Sequence, residues 1–349
     1  MEVRQCDDNI RTHPRPRCCL CSSEGQLLYR GLKDRLFETP GEWNLKKCPS
    51  PECGLVWLDP MPVAEDLGKA YKNYYTHQDA YNASVSWPRR LYLWAAEGYL
   101  ARTYNYHSKT ISTWKKVLAQ LFYFHPGRRE NLNFSVMYLR AKPNGRLLDV
   151  GCGSGYKLKF LQDLGWQAEG VDIDPVAVES ARAKGLSVRL GTLEVQNYPD
   201  NYFDAITMSH LIEHVYNPLG VLGECYRILK PGGRLVVVTP NNESWMHRLL
   251  KDSWLALDPP RHLNIFSLAS MRLIMGKTGF KKFKISTTIR EANGLFMASK
   301  LIQRTGKYVW GSPLPRTFRL WARGVQLAEW VLLKFRQDTG EEIAMVGEK

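Results

Sequence analysis

Between residues 143 and 290, short apolar runs alternate with segments whose apolar positions recur at helical spacing. RLLDVGC (146–152) is an apolar run ending in glycine. SGYKLKFLQDLG (154–165) then places Leu158, Leu161 and Leu164 three apart and stops at Gly165, which predicts a helix. WQAEGVDI (166–173) predicts a second strand. DPVAVESARAKG (174–185) predicts a helix with Pro175 in its first turn and Gly185 at its end. SVRLGT (187–192) and YFDAITMS (202–209) predict a third and a fourth strand. LIEHVYNPLGVLGECYRILKPGG (211–233) reads as helical, and RLVVVTP (234–240) as a fifth strand. Strands alternating with helices imply an α/β protein with a parallel, doubly wound sheet.

The flanking segments follow other patterns. Residues 1–60 are rich in Cys, Pro and Gly and show little periodicity, whereas 61–142 are aromatic and basic with helical patterning. Near the C-terminus, TFRLWARGVQLAEWVLLKF (317–335) puts Phe318, Trp321, Val325, Ala328, Val331 and Phe335 at helical spacing, with Arg319, Arg323 and Gln326 between them. GEEIAMVGEK (340–349) reads as a last strand. The expected organisation is a cysteine module over 1–60, a helical segment over 61–142, and an α/β domain over 143–349 with a helical insert near 291–338.

Composition changes this picture in two respects. The 349 residues are 44% apolar and 23% charged, ordinary for one large globular domain with attachments. No apolar stretch opens the chain and no run reaches the roughly 18 residues needed to span a bilayer, so the expectation is a soluble, cytoplasmic protein. The formal net charge of +14 is local: residues 84–142 carry ten Lys/Arg against two Asp/Glu, and 281–336 carry twelve against two. Either these are solvated helical faces, or they meet an anionic partner such as a phosphate, a nucleotide or the inner face of a membrane.

The first strand ends in Asp149-Val-Gly151-Cys-Gly153-Ser-Gly155. Glycine serves where a backbone turns sharply and lies against a ligand with no Cβ between. The spacing is not the dinucleotide fingerprint Gly-x-Gly-x-x-Gly, because Tyr156 holds the sixth position, and no Lys-Ser/Thr pair follows for a phosphate loop. Asp172 ends the second strand 23 positions after Asp149, where a carboxylate can accept both hydroxyls of a ribose.

LLDVGCGSG, GVDIDP, YFDAITMSHLIEHV and LKPGGRLVVVTPN, in this order and spacing, resemble the successive motifs of class I S-adenosylmethionine-dependent methyltransferases. The resemblance covers roughly 143–290, with the last strand near 341–348. It implies a Rossmann-like, seven-stranded sheet and S-adenosylmethionine as cofactor. By that resemblance Asp149, Gly151, Gly153 and Gly155 lie under the methionine part and Asp172 holds the ribose. Thr192 and Leu193 flank the adenine, and Ser209 and His210 line the methionine pocket with backbone atoms.

HLIEH (210–214) matches H-x-x-E-H, which on a helix can hold a catalytic zinc. A peptidase site would need a further distant ligand and a different fold. Three readings remain: a structural turn under the cofactor, His210 or His214 as general base, or a divalent ion held by His210, Glu213 and His214 on one helical face. The stretch is similar to the Glu-x-x-Glu-His run that binds a divalent ion in ubiquinone-pathway O-methyltransferases, with His210 in place of the first Glu.

Cys18 and Cys21 form C-x-x-C, and Cys48 and Cys53 form C-x-x-x-x-C. Two thiolate pairs suit a structural zinc ribbon, with Cys19 as an alternative to Cys18, and four thiolates leave no open catalytic position. Cys6, Cys152 and Cys225 are expected to be free thiols. CCLCSSEG, EWNLKKCPSPECGLVWLDPMP and YKNYYTH resemble the N-terminal part of bacterial methyltransferases acting on sugars and other secondary metabolites.

Methyl transfer requires alignment of the acceptor and often removal of a proton. His262 in DPPRHLNIFS lies beyond the fifth strand on the substrate side, with Arg261 beside it to pair a phosphate or carboxylate. Tyr75 and His77 are a further candidate pair. The function expected first is O- or C-methylation of a small acceptor, saccharide, lipid-linked or isoprenoid in type, and anionic or lipid-linked in character. Methylation of RNA, gripped by the ribbon and basic segments, and a non-catalytic binding module are the alternatives. Against RNA, no Asn/Asp-Pro-Pro-aromatic element follows the fourth strand.

Overall fold

The computed structural model describes residues 9–71, 86–107 and 110–349. The chain begins with β1 (Gln26–Leu32), β2 (Trp43–Lys47) and β3 (Val56–Leu58). Helices α1 (Trp87–Tyr104), α2 (Thr113–Leu118) and α3 (Pro126–Ser135) follow. The alternating part consists of β4 (Arg146–Val150), α4 (Tyr156–Asp163), β5 (Gln167–Asp172), α5 (Pro175–Ala183), β6 (Val188–Leu190) and β7 (Phe203–Ser209). It continues through α6 (Pro218–Ile228), β8 (Leu229–Pro240), β9 (Asn264–Ile265), α7 (Leu268–Lys277) and β10 (Lys282–Thr288). Helices α8 (Ala292–Thr305) and α9 (Arg316–Leu332) precede the last strand, β11 (Glu342–Glu348).

The seven-stranded sheet runs β10-β11-β8-β7-β4-β5-β6. The five strands from β8 to β6 are parallel, but β11 lies antiparallel to both β8 and β10. The strands read from the alternating pattern are parallel as expected, and β11 makes the seven-stranded sheet as a whole a mixed one. Its strands are apolar on both faces because both are covered. Leu235 and Val237 of β8 face one core, and Val236 and Val238 face the other.

Local signals set most helix ends. Asp174 caps α5 by accepting from Val176 N (2.9 Å), with Pro175 in the first turn. The long helix expected over 211–233 is also corrected. Asn217 accepts from Gly220 N (3.0 Å), and the helix starts only at Pro218. It stops at Ile228, and Lys230-Pro231-Gly232-Gly233 bulge within the start of β8, where Gly232 has φ 75°.

The cysteine module joins the main core directly. β9, in the loop after β8, pairs antiparallel with β3, giving a second sheet of order β9-β3-β2-β1. Asn242 donates to the carbonyls of Gly54 (3.0 Å) and Ile265 (2.7 Å), and Ser267 Oγ donates to that of Cys53 (2.8 Å). Beneath these bonds Leu45, Leu55, Trp57, Leu263 and Phe266 are buried in the same core as Val237 and Met345.

One ion pair ties the two parts. Arg261 Nη1 and Nη2 donate to the two oxygens of Asp34 at 2.6 and 2.8 Å, and neither side chain has any exposure. Arg261 Nε also donates to Asp258 (3.0 Å). Burial alone would raise the Asp34 carboxyl, but Arg261 holds it well below the usual carboxylate range. The expectation that Arg261 meets a substrate anion is therefore corrected: its donors are consumed inside the protein. Removing one partner of such a buried pair leaves an uncompensated charge and costs about 3–5 kcal/mol. Arg261→Met should lower unfolding stability by that amount in urea titration; a loss below about 1 kcal/mol would remove the pair from its structural role.

Candidate active site

Gly151, Gly153 and Gly155 all have positive φ (74°, 53° and 80°), so the turn after β4 uses glycine's freedom three times in succession. A Cβ on Gly155 would lie 2.4 Å from Leu186 Cδ1, which lets α4 pack closely, whereas one on Gly153 would meet nothing within 4 Å. The turn therefore presents an open backbone surface at Gly153. Asp172 fixes it by accepting from Gly153 N (2.7 Å), and Asp172 also accepts from Asp174 N (2.9 Å). Asp149 lies below the turn, buried, where it accepts from Thr207 Oγ1 (2.6 Å); burial pushes its carboxyl pKa up. Ser209 pairs with Val238 at the end of β7. Thr192 is exposed, while Leu193 is buried in the core. Ile173, not singled out from the sequence, is 67% exposed directly after Asp172.

A cavity of about 380 Å³ opens at the carboxyl ends of β7 and β8. Leu36 and Phe37 from the cysteine module, Leu255, Leu295 and Trp310 give it apolar walls, and His210, His262 and Arg290 line it too. The structure thus brings together two of the three candidate histidines. Tyr75 and His77 lie outside the described residues.

HLIEH is not a helix. His210 takes a left-handed backbone conformation (φ 52°), a strained choice for a residue with a side chain, and only Ile212–His214 form a single 3-10 turn. The expected set of His210, Glu213 and His214 on one helical face is corrected for this reason. Instead, one ligand atom each from Glu213, His214 and His262 lies within 4.8 Å of the others, and this is the group that could hold a divalent ion.

Burial alone would lower the His210 pKa. Glu213 (Nδ1 to Oε1 3.3 Å) and Glu342 (Nε2 to Oε1 2.9 Å) instead raise it to about 9. The two carboxylates favour the protonated imidazole, and Arg290, which also pairs with Glu342, brings Nη2 to 3.0 Å from His210 Nε2, so this nitrogen is engaged within the protein. His214 lies off the cavity wall. Its Nδ1 donates to the Arg261 carbonyl (3.0 Å) beside the Tyr71 hydroxyl (2.9 Å), and burial, then His262, lower its pKa to about 4. His262 Nδ1 donates to the Ala256 carbonyl (2.7 Å), and its other ring nitrogen, Nε2, lies 3.9 Å from Asp258 Oδ2. Glu342, Arg290 and Phe37 were not legible as site residues, because each comes from a segment with no motif of its own.

The cysteines also converge. Cys18 and Cys53 bring their sulfurs to 3.6 Å and Cys21 and Cys48 to 3.3 Å, and all four lie within 4.8 Å of one another. A tetrahedral zinc with Zn–S of about 2.3 Å needs sulfurs about 3.8 Å apart, so the donor set fits. Cys19 is excluded from the set, its sulfur turned to Asn264 Oδ1 (3.8 Å). Cys152 and Cys225 are free thiols, and Cys6 lies outside the described residues.

Behind Glu342, Glu329 of α9 is fully buried next to buried Glu341, and among the described residues no side chain pairs with its carboxyl oxygens. Burial raises both, Glu341 to about 7. A carboxyl with a raised folded pKa destabilises progressively as pH rises from the ordinary 4.5 through the folded value. Glu329→Gln, which mimics the protonated acid, should therefore raise the urea midpoint at pH 8, with the gain vanishing toward pH 4. A variant less stable than the parent at pH 8 would contradict the assignment.

Residues 123–285 match the family described as a methyltransferase domain. A ubiquinone biosynthesis O-methyltransferase of Xanthomonas oryzae pv. oryzae is 39% identical over 104 residues, covering 28% of this chain and 43% of that protein. A probable S-adenosylmethionine-dependent methyltransferase of Mycolicibacterium smegmatis is 34% identical over 97 residues, covering 27% and 38%. The chain thus spans less than half the length of these curated relatives. A solved S-adenosylmethionine-dependent methyltransferase from Archaeoglobus fulgidus is similar with a TM-score of 0.43 and 20% identity, over 63% of this chain and 92% of that one. Just under half of the chain, residues 123–285, is thus similar to the methyltransferase domain family.

Proposed function

We propose that the chain transfers the methyl group of S-adenosylmethionine to oxygen or carbon of a small acceptor with an apolar body, bound in the cavity of Phe37, His262 and Trp310. The observation that carries this reading is the open Gly153 turn, with Asp172 on one side and a walled cavity beyond β7 and β8. Gly151, Gly153 and Gly155 would bear the methionine part of the cofactor and Asp172 its ribose, with Ile173 and Thr192 toward the adenine. When bound, the cofactor supplies an electrophilic methyl group on a sulfonium. His262 Nε2 accepts the acceptor's proton, and the apolar walls exclude water and align the acceptor. Arg290 pairs with Glu342 and Glu291, and His210 with Glu342 and Glu213, so the cavity favours a neutral acceptor over the anionic one expected from overall charge. The name of the Xanthomonas relative, an O-methyltransferase of ubiquinone biosynthesis, points the same way.

The exposed surface supports delivery from a lipid phase. Phe124 and Phe335 are each 80% exposed, and Trp114, Leu320 and Trp321 are exposed among the basic residues of α2 and α9. Gln326 of α9 donates to the carbonyls of Ile289 (2.8 Å) and Arg290 (3.3 Å), so this face adjoins the cavity. No helix among the described residues is long and apolar enough to cross a membrane.

Calorimetry should show S-adenosylmethionine binding that Asp172→Ala weakens by at least about tenfold. His262→Ala should bind the cofactor normally and methylate about 10²–10⁴-fold more slowly. Acceptors presented in anionic vesicles should be methylated faster than in neutral ones, with the advantage lost as salt rises. Folded protein without cofactor binding would end the reading, and methyl incorporation into RNA would replace it.

We further infer a structural zinc held by Cys18, Cys21, Cys48 and Cys53. Elemental analysis should find about one zinc per chain. Cys48→Ser should lose it and destabilise the sheet of β1, β2, β3 and β9. Metal-free protein of unchanged stability would refute the site.

A further inference from the structure

Lys157 stands two residues beyond Gly155, in the first turn of α4, and is half-buried. Its ammonium makes no ion pair with a carboxylate among the described residues. Its one hydrogen-bond acceptor is the thioether of Met137 (3.3 Å), a weak one, and it lies 4.1 Å from the centre of the Phe134 ring. The guanidinium of Arg290 sits 3.7 Å from the centre of the same ring, but Glu342 and Glu291 already occupy its donors. An ammonium with three donors, taken out of water and given only a sulfur and a ring face, is incompletely satisfied. Among the described residues no carboxylate comes within ion-pair distance of it, Asp149 and Glu342 acting only from further off, and the backbone N–H groups that open α4 favour an anion in the same place. Desolvation accordingly lowers the lysine pKa to about 8.

Resting on the methyltransferase reading above, we propose that Lys157 is the anchor for the α-carboxylate of the cofactor's methionine moiety. The amino-acid end of the ligand would lie between the glycine turn and Phe134, with the ammonium of Lys157 donating to the carboxylate. Asp149, buried just below, already accepts from Thr207 through Oδ1 and acts on the ammonium only from beyond ion-pair distance. Lys157 has no counterpart in the motif residues of the turn; it is seen only when α3 and the segment after it are packed against α4.

The test compares S-adenosylmethionine with its decarboxylated analogue by calorimetry, in the full chain. The parent protein should prefer S-adenosylmethionine by at least about tenfold, the discrimination expected of one charge-assisted hydrogen bond. Lys157→Met should abolish that preference by weakening S-adenosylmethionine alone, and Lys157→Arg should restore much of it. 5′-Methylthioadenosine, which lacks the amino-acid group, should bind parent and Lys157→Met equally. Equal binding of S-adenosylmethionine and its decarboxylated analogue by the parent would overturn the proposal without any variant. So would an unchanged preference in Lys157→Met, which would leave the lysine for an anion on the acceptor. Failure of the parent to bind any of the three compounds would instead overturn the methyltransferase reading itself.

Discussion

The guanidinium of Arg261 is wholly removed from solvent, so its donors must find acceptors inside the protein. It finds them on Asp34, 227 positions away in the chain, and on Asp258. Asp34 in turn accepts from the backbone N–H groups of Leu36 (2.9 Å) and Phe37 (3.1 Å), which fixes the loop after β1. The Arg261 guanidinium lies 4.7 Å from the Phe37 ring, which walls the cavity. The next residue along the chain is His262, the candidate base. A single buried charge thus places a cysteine-module side chain and an α/β-domain side chain on the wall of one cavity.

Charge is organised in two layers. The excess of Lys and Arg lies on exposed helical segments, where water and salt screen it. Around the cavity several charges are paired: Glu342 and Glu291 with Arg290, Glu342 and Glu213 with His210, and Asp34 and Asp258 with Arg261. Matching is required there, because an unpaired ion out of water costs far more than a surface pair returns. Glu213 and Glu342 favour the protonated form of His210. His262, held through Nδ1 by the Ala256 carbonyl, keeps Nε2 at 3.9 Å from Asp258.

The strands and helices between Arg146 and Pro240, the glycine turn, Asp172 and the four cysteines were legible from sequence, because each depends on spacing within a few residues. Period-two and period-3.6 apolar patterns report burial on one face, and a glycine reports a backbone conformation, whatever lies elsewhere in the chain. HLIEH showed the limit of such reading. Its spacing is right for a helix face, yet the strand end before it forces His210 into a left-handed turn and breaks the helix.

What the sequence determined by itself is therefore the alternating α/β order, the open turn at Gly153 and the pairing of cysteines by module. Tertiary structure alone decided that β11 would run antiparallel, that β9 would extend the cysteine-module sheet, and which ionisable groups would share the cavity. The reason is the range of the forces. Backbone preference and apolar periodicity act between near neighbours. The protonation of His210, the partners of Arg261 and the surroundings of Lys157 depend on desolvation, on the charges of Asp34 and Glu342 and on the thioether of Met137, which meet only when the chain has closed.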